Sequence, residues 1–405
     1  MRTLLALVLA QVVSLPCVGE WKSDSIYVGG DTASVGGHNY RANWWVQGQS
    51  PVSNNGGPAS GQPWTDMGGC QTGAVSVPVS VPVVSTPVST PVLPPVKFNG
   101  SVLSPYKDVA ISANWNTSVI STNVTGSLTP LLQAVPTLPA VTWAFATGEC
   151  GSETWGGISG PILAGANVSS FVSAKMPYII STGGAAGAFT CGSDAGFAVF
   201  LDRYMSPYLL GLDFDIEAGQ SQVTIDALIA RVKSAQTNPK YAGLRFSFTL
   251  ATLGGNSAQS LGDAGVKVMA SIKGAGLQNY IVNLMAMDYG SASATNCVVV
   301  DGQCEMGLSA NQAAINLHTF YGVPYSQIEL TPMIGGNDTQ GETFTLADVD
   351  TVVAFANKNG LAGLHFWSLD RDVDCKPGYA SPVCNSYGQA GTLGFTKRFV
   401  LGSKT

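Results

Sequence analysis

The chain has 405 residues, 45% of them apolar and 11% charged, with a formal net charge of −6. That length allows two or three domains around a sizeable core, and sparse charge with 48 glycines fits a loop-rich exported protein better than a disordered one. Lys and Arg form no run beyond isolated pairs, so no nucleic-acid partner is expected, whereas a neutral polymer would meet no strong electrostatic barrier.

Arg2 followed by the apolar run 4–13 reads as a secretory signal. Cleavage is expected near Ser14, making residues 1–14 the signal peptide, because a cut after Gly19 would discard Cys17 and leave an odd thiol. No later run is long enough to span a bilayer, so no membrane partner is expected. Residues 17–70, bounded by Cys17 and Cys70, are rich in Gly and aromatic residues and poor in helical periodicity. They predict a small all-β module whose core needs a disulfide. Trp21, Tyr27 and one of Trp44 and Trp45 are expected in that core. Tyr40, the other tryptophan of the pair and Trp64 are expected on an exposed platform, where flat rings can stack on pyranose C–H faces. Residues 71–97 repeat Val-Pro-Val-Ser and Ser-Thr-Pro units, which predict an extended polyproline II linker.

From residue 98 to 405 short apolar β-rich runs recur: 108–114, 140–146, 177–182, 209–215, 244–250, 281–287, 328–333 and 362–367. Helical patterns, among them 223–237, 262–275, 310–321 and 346–358, lie between them. Eight apolar strands alternating with helices predict an α/β fold, a (β/α)8 TIM barrel, with its functional residues at the C-terminal ends of the strands. Cys150 and Cys191 follow neighbouring strands, while Cys297 with Cys304 and Cys375 with Cys384 each close a small loop, so three disulfides are expected here. No CxxC pattern appears and only three His occur, so neither a metal nor a cofactor is expected.

The fourth run carries the chemistry. In Leu210-Gly-Leu-Asp213-Phe-Asp215-Ile-Glu217 the three acids sit at i, i+2 and i+4, with apolar residues between them. On a strand this puts three carboxyls on one face, where crowding raises some of their pKa values and keeps one protonated as a general acid. The segment resembles the DxxDxDxE motif of glycoside hydrolase family 18, the chitinases and their relatives, with Leu210 in place of the first Asp. Residues 17–70, through Tyr27-x-x-Gly-Asp31, Tyr40-Arg-Ala-Asn-Trp44-Trp45 and Pro63-Trp64, resemble carbohydrate-binding modules of families 5 and 12, which bind chitin.

Further segments resemble the same hydrolase family: Ser181-Thr-Gly183-Gly184 its SxGG motif, and Met285-Ala-Met287-Asp288-Tyr289 its MxYD segment. In the latter Met287 stands at the tyrosine position, and Tyr289 is a candidate to supply the missing hydroxyl. The resemblance implies that Glu217 protonates the glycosidic oxygen while the sugar's own N-acetyl carbonyl attacks the anomeric carbon. Asp215 would orient that acetamido group and Asp213 would tune Asp215 through a shared proton. Trp367 would floor the subsite of the reacting sugar, with Trp143 and Trp115 as weaker candidates for lining the cleft. Loss of the first Asp at Leu210 implies an altered pH profile. Residues 333–362 have room for little more than one helix, which suits an open cleft and internal cleavage. The expectation is a secreted, monomeric endo-acting chitinase whose partners are chitin and chito-oligosaccharides. An endo-β-N-acetylglucosaminidase acting on N-glycans and a non-catalytic chitin-binding lectin are the alternatives.

Overall fold

A computed structural model describes residues 15–27, 31–43, 46–56, 62–71, 102–217, 219–377 and 380–402. The expected signal peptide, nearly all of the expected linker, and Trp44 and Trp45 lie outside the described residues. The chain divides into two compact units, Met1–Val92 and Leu93–Thr405.

The described residues of the first unit form strands and turns. A four-stranded sheet runs in the order Leu15–Pro16, Trp64–Gln71, His38–Ala42, Thr32–Val35. Its hairpin turns at Gly36 and Gly37, with φ of 61° and 76°, a conformation glycine adopts without a Cβ clash. The Cys17–Cys70 disulfide ties the residue after Leu15–Pro16 to Trp64–Gln71, the strand with which it pairs in parallel. The core is Ala33, Tyr40, Ala42, Val46 and Trp64, with Trp21, Tyr27 and Val35 packed at its margin. This reverses the expected roles of the rings. Trp64 is 0% exposed, its indole N–H donates to the Gln49 carbonyl at 2.8 Å, and Tyr27 meets it edge-on at 5.0 Å. Tyr40 is 6% exposed, while Trp21 and Tyr27 remain half-exposed. The reason is volume: three small aliphatic side chains cannot fill this core, so the two rings projecting inward from paired strands must.

The second unit is built on one parallel sheet. In chain order its strands are β1 (Val102–Leu103), β2 (Tyr106–Asp108), β3 (Val141–Ala146), β4 (Tyr178–Gly183), β5 (Leu209–Asp215), β6 (Arg245–Ala251), β7 (Ile281–Ala286), β8 (Ile328–Pro332) and β9 (Gly363–Leu364). Each pairs with the next from β2 to β9, and β9 pairs with β1. Because β1 and β2 belong to one short stretch of chain, the sheet returns on itself. The Ser104 N–H donates to the Leu364 carbonyl at 3.2 Å and the Tyr106 N–H to the Phe366 carbonyl at 3.1 Å. Helices alternate with these strands: α1 (Gly160–Ala174), α2 (Asp194–Tyr204), α3 (Gln222–Gln236), α4 (Asp263–Ala275), α5 (Met306–Tyr321), α6 (Leu346–Asn359) and α7 (Gly394–Gly402). This arrangement is consistent with a (β/α)8 barrel.

Two expected elements move. The first barrel strand ends at Asp108 rather than starting there, since the Asp108 carboxylate accepts the Ala110 N–H at 2.9 Å and turns the chain. The last one is recorded only at Gly363–Leu364, although Trp367 still bridges to Met333. Inside the barrel, inward positions on the strands carry polar side chains, among them Asp213, Ser247, Asn283 and Glu329. Near its N-terminal end, burial would push Glu329 up, but Arg245 and His365, at 3.1 Å, hold it at about 2. Further Cys150–Cys191, Cys297–Cys304 and Cys375–Cys384 disulfides pin the loops. Among the described residues no helix is long and apolar enough to cross a membrane.

Candidate active site

Strand alternation on β5 turns Gly211, Asp213 and Asp215 toward the barrel axis, and Leu212, Phe214 and Ile216 into the layer beneath the helices. Asp213 is buried in a cage of hydroxyls. Its Oδ2 accepts from Tyr106 at 2.9 Å and Ser181 at 2.6 Å, and its Oδ1 from Ser247 and Thr249, each at 2.7 Å. The Asn283 amide then donates to both Tyr106 and Thr249 at 2.9 Å, which fixes the direction of their hydroxyls toward Asp213. Thr331 donates to the Asn283 carbonyl oxygen at 2.8 Å and so orients that amide. Three strands thus donate to one carboxylate, two more orient the donors, and its acceptor positions are filled.

Two residues nearer the mouth, Asp215 makes its hydrogen bond to Glu217 rather than to Asp213. The shared proton expected between Asp213 and Asp215 is therefore replaced by an Asp215–Glu217 link. Burial, then the charges of Glu217 and Asp213, hold Asp215 well above the ordinary carboxylate range. Its Oδ1 is buried and has no partner. Glu217, at the rim, is raised first by burial and then by the charge of Asp288, against the opposing effect of its bond to Asp215.

Glu217 and Asp215 line a cleft of about 340 Å³ together with Tyr106, Phe145, Met285, Asp288 and Trp367. Trp367 stacks on Phe145 at 5.5 Å and lies 6.1 Å from Tyr106, forming an aromatic floor. The Ala144–Phe145 and Trp367–Ser368 peptide bonds, both at this floor, are cis. Gly183 and Gly184 make the acid strand's close approach possible. A Cβ on Gly183 would lie 2.0 Å from the Asp215 carbonyl oxygen, and one on Gly184 would lie 2.8 Å from the Phe145 ring. Both have positive φ, 91° and 82°.

Three expected cleft residues do not line it, and one of them, Trp115, is exposed. Trp143 is fully buried on the outer face of β3, stacked on Tyr178 at 4.7 Å and edge-on to Phe171. Its neighbours Thr142 and Ala144 have the inward register, so alternation sends Trp143 to the helix layer. Tyr289 is also buried, and its hydroxyl finds no partner and does not reach the cleft. Its residue follows Asp288 in a left-handed turn, φ 51°, which breaks the alternation on which a shared face with Met287 depended. Met287 itself lines the cleft. Leu210 is the extra residue of a bulge, since Tyr178 pairs with Leu209 and Ile179 with Gly211, and it is half-buried outside the hydroxyl cage.

The cage residues Tyr106, Ser247, Thr249 and Asn283, and the wall residues Phe145, Asp108, Asp338 and Met333, were not singled out by sequence reasoning. A signal existed for part of the cage: Phe246-Ser-Phe-Thr-Leu250 alternates ring and hydroxyl with period two. Expecting the first strand two residues late removed Tyr106 from view. Glu149, Cys150 and Cys191 are close enough in space to suggest a cation site, but the two sulfurs are bonded to each other, which leaves one carboxylate.

No family model matches the chain. Against a probable bifunctional chitinase/lysozyme of Escherichia coli strain K12 it is 26% identical over 87% of its own length and 45% of that protein. It is 33% identical to Endochitinase 11 of Metarhizium anisopliae over 40% of its length and 33% of that protein. The chain thus spans less than half the length of these curated relatives. The crystal structure of the catalytic domain of a hyperthermophilic chitinase from Pyrococcus furiosus superimposes with a TM-score of 0.57 at 25% identity, covering 76% of this chain and 95% of that one. Catalytic-site mutants of the active domain 2 of chitinase from the same organism give a TM-score of 0.58, also at 25% identity. A chitinase catalytic domain therefore shares this fold over nearly its whole length, and the acid cluster described above stands at the mouth of the barrel.

Proposed function

We propose that the chain is a secreted, endo-acting chitinase that hydrolyses β-1,4 bonds between N-acetylglucosamine units with retention of configuration. The observation that carries this reading is the hydrogen-bonded Asp215–Glu217 pair at the cleft. Both carboxyls are held above their ordinary pKa, and one buried oxygen, Asp215 Oδ1, is left without a partner. An unpaired acceptor in that position invites the N–H of a substrate amide, since a buried acceptor left empty is costly.

In the reaction, protonated Glu217 gives its proton to the glycosidic oxygen, the C1–O bond breaks and the leaving chain departs as an alcohol. The acetamido carbonyl oxygen of the sugar in the cleft attacks C1 and forms an oxazolinium ion, so the protein supplies no nucleophile. Asp215 accepts the acetamido N–H, orients the carbonyl for attack and offsets the positive charge of the intermediate. Asp213, held in place by its hydroxyl cage, adds negative charge beside Asp215. Glu217, now a carboxylate, takes a proton from water as that water attacks C1, opening the ring and restoring the starting state. Trp367 stacks under the sugar that reacts.

The β8–α6 segment is short: a Gly335–Gly336/Thr343–Phe344 ribbon, then α6. With no extra subdomain there among the described residues, a long chain can lie across the cleft and be cut internally. The first products from chitin are expected to be mixed oligomers; dimer alone from the first turnovers would reject internal cleavage. Four disulfides support an oxidising, extracellular location. The deciding experiment is release of reducing ends from colloidal chitin by wild type and Glu217→Gln. Loss of the general acid is expected to cut the rate about 10²–10⁴-fold, and a mutant that keeps its rate would reject the assignment.

A further inference from the structure

Asp288 reaches the cleft from a left-handed backbone conformation, φ 51°, that few non-glycine residues adopt. The segment that follows β8 holds it there. The Asp288 N–H donates to Asn337 Oδ1 at 3.3 Å, and Asp288 Oδ1 accepts the Thr339 N–H at 3.0 Å. Asn337 is fixed in turn by donating its amide to the Met333 and Gly335 carbonyls at 3.0 and 3.1 Å. One side chain in this segment holds the turn itself. Glu342 Oε2 accepts the Tyr289 N–H at 3.1 Å, and the N–H groups of Asp288 and Gly290 also point to its carboxylate. Glu342 is buried, and its Oε1 has no partner.

We propose that Glu342 is a positioning residue that clasps the 288–290 turn and so holds the Asp288 carboxylate facing Glu217. This rests on the assignment of Glu217 as the proton donor made above. A carboxylate on several convergent N–H groups is a strong local constraint, since charge-assisted bonds of this kind are about twice as strong as neutral ones. The effect reaches the chemistry through Asp288, whose negative charge is one of the causes raising Glu217. If the turn relaxes, Asp288 withdraws and Glu217 titrates at lower pH. A general acid must be protonated, so the alkaline limb of the pH–rate curve then moves to lower pH. The charged groups around the clasp are Asp288, Asp338 and Arg371, with Glu217 across the cleft; Tyr289 on its far side faces Asp348 and Glu305. Burial raises Glu342 to about 7, so the clasp is strongest above neutrality.

The test compares wild type, Glu342→Ala, Glu342→Gln and Asp288→Asn on a short soluble chito-oligosaccharide, with thermal midpoints recorded for each. Glu342→Ala is expected to lower kcat about tenfold or more and to shift the alkaline limb to lower pH, in the direction of Asp288→Asn. Glu342→Gln keeps an acceptor oxygen on the turn and is expected to recover most of the lost rate and the wild-type limb. A second readout needs no turnover: carboxyl 13C NMR titration of Glu217, assigned with Glu217→Gln, should move to lower pH in Glu342→Ala and return in Glu342→Gln. An inactive wild type would reject the proposed function, and the NMR titration would still decide the clasp. An unmoved Glu217 in Glu342→Ala, or equal shifts in the Ala and Gln variants, overturns it. Should Glu342→Ala fail to fold, Glu342→Asp, which withdraws the carboxylate by one methylene, replaces it with the same outcomes.

Discussion

Asp215 is held in a state that costs the fold stability. Burial first, and then the charges of Glu217 and Asp213, raise its pKa in the native state. A carboxyl raised on folding contributes stability that is present below its unfolded value and is lost as pH rises through its folded value. Above the unfolded value, therefore, the unfolded chain gains from ionising this carboxyl while the native protein does not, a penalty that grows until the folded value is reached. Asp215→Asn removes it, and the amide can still donate to Glu217. We expect the thermal midpoint of Asp215→Asn at pH 8 to rise by about 2–4 °C while chitin turnover falls. The gain should shrink toward pH 4, and a gain independent of pH would contradict this account. Glu217, raised more mildly, opens onto the cleft. The two carboxyls differ in how far they are raised because their surroundings differ.

Among the elements, β4 and β5 pair where the site is built, with no room for a side chain at Gly183. The two strands pair from Tyr178 to Gly183, and Gly183 lies opposite Asp215. The position needs glycine for two reasons, the positive φ and the carbonyl oxygen 2.0 Å from any added Cβ. Gly183→Ala should therefore cost at least about 1–3 kcal/mol of stability and displace the backbone of Asp215. Urea unfolding measures the first effect, and a fall in kcat larger than the rise in KM measures the second. A fully stable, active Gly183→Ala would show that β4 yields without moving β5. Hydrophobic periodicity was enough to place most barrel strands and the four named helices within a few residues, because buried parallel strands and the helices covering them impose long, distinct patterns. It failed at the first strand, where Tyr106 and Lys107 interrupt the apolar run yet are both buried. Lys107 is neutralised by Asp370 at 2.9 Å, a partner 263 residues away that no local pattern reveals.

For the whole molecule, the first unit depends on its disulfide far more than the second. Among the described residues its buried core contains five, and Cys17–Cys70 closes a separation of 53 residues. Chain-entropy arguments assign such a closure about 4 kcal/mol, comparable to the stability of so small a domain. Mild reduction should unfold the first unit before the barrel, read as an early loss of chitin pull-down with turnover of soluble oligomers intact. Deletion of residues 17–70 should likewise slow digestion of insoluble chitin and spare short oligomers; equal losses on both substrates would reject a separate binding role. What the sequence by itself determined is the repeating pattern of strand and helix, the spacing of Asp213, Asp215 and Glu217 on one strand face, and the glycines beside them. Each of these depends on neighbours along the chain, through the period of a strand or the φ of a single residue. Only the tertiary structure decided which aromatic rings are core and which are surface, why Asp213 bonds hydroxyls while Asp215 bonds Glu217, and what holds Asp288 in place. Those outcomes depend on side chains from strands and loops far apart in sequence, and closure of the sheet is the step that makes them neighbours.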